Sequence, residues 1–129
     1  MPRSFPALSA VTAALMLTAC QQPVESAPQS KAPAIEALGP AVSCIQTSRI
    51  RDTEVHDDQT IDFNMLGGET FRNTLPNRCP SLGFEERFAY NSTTGQLCSV
   101  DVITVLYSDG QRGAGCGLGP FLPVKINKD

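Results

Sequence analysis

Four cysteines, Cys44, Cys79, Cys98 and Cys116, constrain the fold of this 129-residue chain more than any other feature. They lie in a body of roughly 86 residues, which buries only about 60–65% of the surface that its unfolded chain exposes. Core burial therefore exceeds the entropy cost of ordering the chain by a small margin. The cysteine spacing contains no Cys-x-x-Cys pair, which argues against zinc. We expect two disulfide bonds, provided that the chain reaches an oxidising compartment.

The amino terminus has the composition of an export signal. Arg3 supplies a positive start, and residues 5–17 are mostly apolar but too few to span a bilayer core, which needs about 20. The Leu-Thr-Ala-Cys motif that ends at Cys20 resembles the lipobox of bacterial lipoproteins, in which the cysteine thiol receives the lipid. We expect residues 1–19 to be a signal peptide and Cys20 to be the lipidated first residue. The alternative is an ordinary secretory signal with an incidental cysteine.

Export places the chain in the bacterial cell envelope, where disulfides form. Gln21, rather than Asp, follows the lipidated cysteine, and in lipoproteins generally this implies delivery to the outer membrane, facing the periplasm. Residues 20–43 are rich in Gln, Pro, Ser and Ala and show no apolar period. We therefore expect Cys20 to begin a disordered linker that ends at residue 43, and a small β domain to span 44–129.

The clearest local pattern lies in residues 60–65, where Ile61, Phe63 and Met65 alternate with polar residues. Strict alternation predicts a half-buried strand. The Gly-Gly pair at 67–68 supplies the positive φ angles of a tight hairpin, so we expect a partner strand around residues 69–73.

Residues 97–107 are nearly continuous β-branched and apolar, which predicts a central strand buried on both faces. Residues 121–126 predict a last strand, and we expect Pro123 to confine it to a sheet edge. No segment shows a convincing amphipathic helix. The fold class we predict is all-β, a small antiparallel barrel or sandwich of five or six strands stapled by two disulfides.

Four cysteines allow three connectivities, and the sequence does not exclude any of them. We favour Cys79 with Cys98, which would join a Pro-interrupted crossover to the start of the central strand. The remaining pair, Cys44 with Cys116, would then join the first strand to the final loop.

Catalytic motifs are weak. His56-Asp57-Asp58 is the one cluster with the composition of a metal or acid–base site, but the chain has a single histidine, and aspartates that favour turns explain the cluster better. The glycine-rich residues 113–119 have no following helix, as a phosphate-binding loop requires. We therefore expect no catalytic residue, no metal and no cofactor.

The charge pattern limits the partners. The formal net charge is −3, and Lys and Arg are scattered singly, without the basic stripe that nucleic-acid binding requires. We expect no nucleic acid. The expected partners are the membrane, through the lipid anchor, and an envelope protein or glycan that the sequence does not identify.

A set of short motifs resembles a family of small four-cysteine bacterial lipoproteins that is classed as a domain of unknown function. The motifs are Cys44 followed by Ile50; Asp58 with Thr60-Ile61-Asp62-Phe63; Phe71-Arg72-Asn73-Thr74-Leu75; Cys79-Pro80-Ser81-Leu82; Phe88 and Tyr90; Leu97-Cys98 with Asp101 and Ile103; and Cys116-Gly117-Leu118-Gly119-Pro120-Phe121. The resemblance implies an envelope location and brings no activity, substrate or catalytic residue.

Three functions stay open. We favour a non-catalytic binding or accessory module, with Arg72, Asn73 and Arg112 as the first candidates for an exposed binding surface; ordinary solvated surface is their alternative. A small periplasmic inhibitor or stress protein comes second, with residues 108–112 as the loop suited to a cleft. An enzyme that uses His56 comes last.

Overall fold

The computed structural model describes residues 30–128. The predicted signal peptide, Cys20 and the first ten residues of the predicted linker lie outside this range. The described strands are β1 (Ile35–Ala37), β2 (Cys44–Gln46), β3 (Ile50–Val55), β4 (Thr60–Met65), β5 (Thr70–Thr74), β6 (Phe88–Tyr90), β7 (Gln96–Cys98), β8 (Val102–Leu106), β9 (Arg112–Gly117) and β10 (Phe121–Ile126). A 3-10 turn (Thr47–Arg49) and one helical turn, α1 (Leu82–Glu85), complete the described elements. Neither helix is long and apolar enough to cross a membrane.

The strands form two open antiparallel sheets and one additional strand pair. The five-stranded sheet has the order β1-β10-β5-β4-β3, the three-stranded sheet has the order β6-β8-β9, and β2 pairs with β7. This confirms the all-β prediction, and because neither sheet closes on itself the architecture is a sandwich rather than a barrel. The predicted count of five or six strands was too low, since several strands have only three residues and leave little pattern in the sequence.

The core lies between the two larger sheets. Phe63 of β4 is fully buried and meets Phe121 and Phe88 edge-on, with ring centroids 5.4 Å and 6.2 Å away. Ile61 and Met65 lie on the same face as Phe63 and are also buried, as the alternation of residues 60–65 predicts. The Gly-Gly turn is confirmed as well, with φ angles of 98° at Gly67 and 94° at Gly68.

The predicted central strand at residues 97–107 is two strands, β7 and β8. A turn separates them, and in it the Asp101 carboxylate accepts a hydrogen bond from the Cys98 N–H at 2.6 Å. Val100 and Val102, which we expected in the core, are 87% and 56% exposed. A run of β-branched residues does not distinguish a doubly buried strand from a strand that ends in an exposed turn.

Pro123 does not confine β10 to an edge. β10 lies between β1 and β5, and the Pro123 carbonyl accepts a hydrogen bond from Leu38 N–H at 2.9 Å, one residue beyond the end of β1. The N–H and C=O groups of a strand residue point to the same side of the strand. The side on which proline lacks an N–H is therefore the side of β1, beyond the last residue of that strand. The ladder to β5 therefore loses no bond.

All four body cysteines form disulfides, as expected, but the favoured pairing was wrong. Cys44 bonds to Cys98, and Cys79 bonds to Cys116. β7 is a separate strand that pairs with β2, which brings Cys44 directly opposite Cys98 with their Cα atoms 4.0 Å apart. The prediction failed because it treated Cys98 as the start of a long central strand.

The folded body begins earlier than residue 44. Strand β1 lies inside the segment predicted to be linker, and Val42 forms an isolated bridge with Phe121. A strand held by backbone hydrogen bonds along a sheet edge needs no apolar period of its own. Composition alone therefore placed the boundary too late.

Candidate functional site

A cleft of about 500 Å³ lies beside the turn that joins β3 to β4. Cavities of roughly 300–1,000 Å³ are the usual size for small-molecule sites. The lining comprises residues 56–59 of the turn and Thr60 of β4, together with Ser30, Lys31, Thr74, Arg78, Gly83 and Phe84. The cleft therefore collects side chains from the start of the described chain, from the five-stranded sheet and from α1.

Asp57 holds the start of the described chain against the cleft. Its Oδ2 accepts hydrogen bonds from Ser30 Oγ at 2.7 Å and from the Lys31 N–H at 3.1 Å, and its Oδ1 accepts one from the Gln59 N–H at 2.9 Å. Burial by itself raises the pKa of Asp57, but the hydrogen bonds, that from Ser30 foremost, outweigh it and hold the pKa below the ordinary 3.8. We call residues 30–34, which Asp57 anchors, the strap.

Asp58 holds α1 on the other side of the cleft. Its Oδ1 accepts a hydrogen bond from the Gly83 N–H at 2.8 Å, and its Oδ2 accepts one from Arg78 Nε at 3.0 Å. A Cβ on Gly83 would lie 2.9 Å from the Asp57 carbonyl carbon, so only glycine permits this close approach. The next residue, Phe84, is consequently fixed at the rim of the cleft, with 87% of its surface exposed.

His56 belongs to a buried polar network beneath the strap. Its Nε2 lies 2.8 Å from Asp62 Oδ2, and Arg72 binds the same carboxylate at two points, with Nε 2.8 Å from Oδ1 and Nη2 2.9 Å from Oδ2. Arg72 Nη1 also donates to the Pro33 carbonyl of the strap at 2.8 Å. The network thus ties β4 and β5 to the strap and forms the interior side of the cleft at His56.

The geometry around His56 does not complete a catalytic triad. Its second ring nitrogen, Nδ1, lies 4.0 Å from Glu54 Oε1, and Nε2 is taken by Asp62. The strap hydroxyl in the cleft, that of Ser30, donates to Asp57. A general base needs a ring nitrogen aimed at a nucleophile, and both nitrogens here face carboxylates. Residues 30–128 also contain no group of three or more His, Cys, Asp or Glu placed to hold a metal ion.

The structure does not assemble the binding surface that we predicted from Arg72, Asn73 and Arg112. Arg72 is 8% exposed because the strap covers it, and Asn73 is fully buried on the opposite face of β5. The Asn73 amide is used internally, since Nδ2 donates to the Gly119 carbonyl at 2.6 Å and Oδ1 accepts from the Gly119 N–H at 2.9 Å. Arg112 is exposed, but it lies on β9 in the three-stranded sheet.

The surface near Arg112 offers little concavity. A depression there has a volume of about 20 Å³, bounded by Ala89, Tyr90, Asn91, Val102, Thr104 and Arg112. That volume suits a single water molecule rather than a ligand. The cleft beside His56 is therefore the stronger candidate site.

No family model, curated protein or solved structure matches this chain. The resemblance to small four-cysteine lipoproteins stays a prediction, and the evidence that bears on function is the geometry of the site itself.

Proposed function

We propose that this protein is a lipid-anchored module of the bacterial cell envelope that binds a ligand in the cleft and catalyses no reaction. The lipobox-like motif ending at Cys20 supports the anchor. The observation that carries the binding role is the cleft, which combines a ligand-sized volume with an aromatic ring held at its rim.

The way in which the polar groups of the cleft are used supports a role without catalysis. Asp57 and Asp58 each accept at least two hydrogen bonds that hold local structure, and His56 lies between two carboxylates. Groups engaged in this way position the walls of a site. They do not supply an activated nucleophile.

A small periplasmic inhibitor is the second candidate, favoured by the turn between β8 and β9. Residues 108–112 are exposed along their whole length, and Gly110 has a φ of 85° at the tip. An exposed hairpin tip that ends in Arg112 has the shape and charge to enter an acidic cleft of another protein.

The binding role can be tested with the full-length lipidated protein in detergent. It is incubated with the glycan and small-molecule fraction of a bacterial envelope extract, and the retained compounds are measured by mass spectrometry. Phe84→Ala should lower retention, whereas Val100→Ala, at a residue that is also 87% exposed, should not. Equal retention by the two variants would exclude the cleft as the binding site.

A further inference from the structure

Building on the proposed function, we propose that the cleft binds an acidic saccharide. Lys31 and Arg78 bind its carboxylate, and its sugar ring stacks on Phe84. The cleft offers donors, an aromatic face and hydroxyl groups, and each of these matches a part of such a ligand.

The acidic groups in and beneath the cleft already accept hydrogen bonds from the protein itself. Asp57 takes three donors, Asp58 takes the Gly83 N–H and Arg78, and Asp62 takes Arg72 and His56. Arginines offset the charges of Asp58 and Asp62, and the three donors to Asp57 occupy most of its roughly four acceptor positions. The cleft is therefore poorly suited to an amine or a metal ion.

Donor groups, in contrast, are available at the rim. Within residues 30–128 neither the Lys31 ammonium nor the terminal nitrogens of Arg78 have a protein acceptor, and the Arg78 side chain is 65% exposed. The contact from Arg78 Nε to Asp58 orients the guanidinium and leaves its two terminal nitrogens for another acceptor. A guanidinium held in this way matches the planar, two-point geometry of a carboxylate.

Phe84 supplies the remaining element. Exposing a phenyl ring to water is unfavourable, and here Gly83 and Asp58 hold it out on a rigid turn. The flat face of the ring suits the apolar C–H face of a pyranose, while Thr74 and Gln59 in the lining can bond sugar hydroxyls. An acyl chain would instead require apolar aliphatic or aromatic side chains along its length, and among the described residues that line the cleft only Phe84 has one.

The test uses N-acetylmuramic acid and N-acetylglucosamine, which share a pyranose ring and differ by one lactyl carboxylate. Binding to the full-length lipidated protein in detergent is measured by saturation-transfer NMR and calorimetry. We expect the acid to bind about tenfold more tightly than the neutral sugar, because a charge-assisted hydrogen bond adds that much affinity. Lys31→Gln should abolish the preference and leave the neutral sugar unaffected.

Three further variants test Arg78 and Phe84, with Val100 as the control position. Arg78→Gln should also remove the preference, and thermal unfolding will report whether losing its contact with Asp58 disturbs the fold. Phe84→Ala should weaken both sugars about tenfold, and Val100→Ala should change neither.

The outcomes separate the ligand class from the binding role. A preference that survives both Lys31→Gln and Arg78→Gln would overturn the assignment of the carboxylate to these two side chains. Equal affinity for the two sugars would overturn the acidic class and leave cleft binding intact. The same holds if neither sugar binds while retention from envelope extract still depends on Phe84. If that retention is independent of Phe84 as well, the proposed function fails together with the ligand class.

Discussion

Arg72 and Asp62 face each other across β4 and β5 and form a two-point ion pair, with Arg72 Nε 2.8 Å from Asp62 Oδ1. The Asp62 side chain is 2% exposed, and His56 donates to the same carboxylate. Since Arg72 also binds the Pro33 carbonyl, the pair fixes the strap over the five-stranded sheet. The strap contributes Ser30 and Lys31 to the cleft, so this pair supports the site from within.

Removing Arg72 should destabilise the fold strongly. Arg72→Ala leaves the Asp62 charge buried without its main partner, and we expect the free energy of unfolding to fall by about 3–5 kcal/mol. Arg112→Ala, on an exposed position of β9, should cost less than about 0.5 kcal/mol. Urea unfolding measures both values, and similar effects of the two substitutions would contradict the network described above.

The disulfide pairing gives a second prediction. Peptide mapping without reduction should recover Cys44 joined to Cys98 and Cys79 joined to Cys116. The bonds close loops of 54 and 37 residues, and the loss of chain entropy in the unfolded state corresponds to about 4 kcal/mol for each. Replacing either pair with serine should lower the midpoint of urea unfolding, and a peptide joining Cys79 to Cys98 would contradict the structure.

The lowered pKa of Asp57 predicts a specific acid sensitivity. A carboxyl whose folded-state pKa is depressed adds stability above its unfolded pKa and loses it as the pH falls through the folded value. The free energy of unfolding of the wild-type protein should therefore exceed that of Asp57→Asn by a constant amount above about pH 5. This difference should shrink as the pH falls below the ordinary pKa of 3.8. Urea unfolding from pH 7 to pH 2 tests this, and a margin that stays constant to pH 2 would show that the hydrogen bonds do not favour the ionised form.

Lipid attachment gives the fourth prediction. Cys20→Ser should abolish metabolic labelling with palmitate and leave an unprocessed or soluble species, because the other cysteines are used in disulfides. Cys44→Ser with Cys98→Ser is the matched control and should still be labelled. Labelling that persists in Cys20→Ser would contradict the anchor.

The strongly patterned parts of the fold were predictable from sequence. The alternation in residues 60–65 and the Gly-Gly turn give the β4–β5 hairpin, and its register places Asp62 opposite Arg72. Continuing that register would have indicated the ion pair. The sequence does not indicate that the strap covers this ion pair. The strap is held on the sheet by backbone and small polar contacts, which leave no apolar pattern in the sequence.

The cleft was less predictable, for a related reason. His56, Asp57 and Asp58 stand out by composition, but Lys31, Arg78 and Phe84 reach the cleft only through tertiary contacts. The single local clue is Gly83 before Phe84, since a glycine that admits no Cβ marks a close backbone approach. The sequence predicts Arg72 and Asn73 to be exposed because polar residues in a hairpin are usually solvated, whereas in the structure both are buried.

Ligand binding at the cleft rim can be tested most directly by photocrosslinking in living cells. A benzophenone amino acid replaces Phe84 in the lipidated full-length protein, and in a second strain it replaces Val100, which is equally exposed on the turn between β7 and β8. After irradiation, intact mass analysis of the purified protein reports any covalent adduct. We predict a discrete adduct from position 84 and none from position 100; no adduct from position 84, or the same adduct from both, would contradict a ligand site in the cleft.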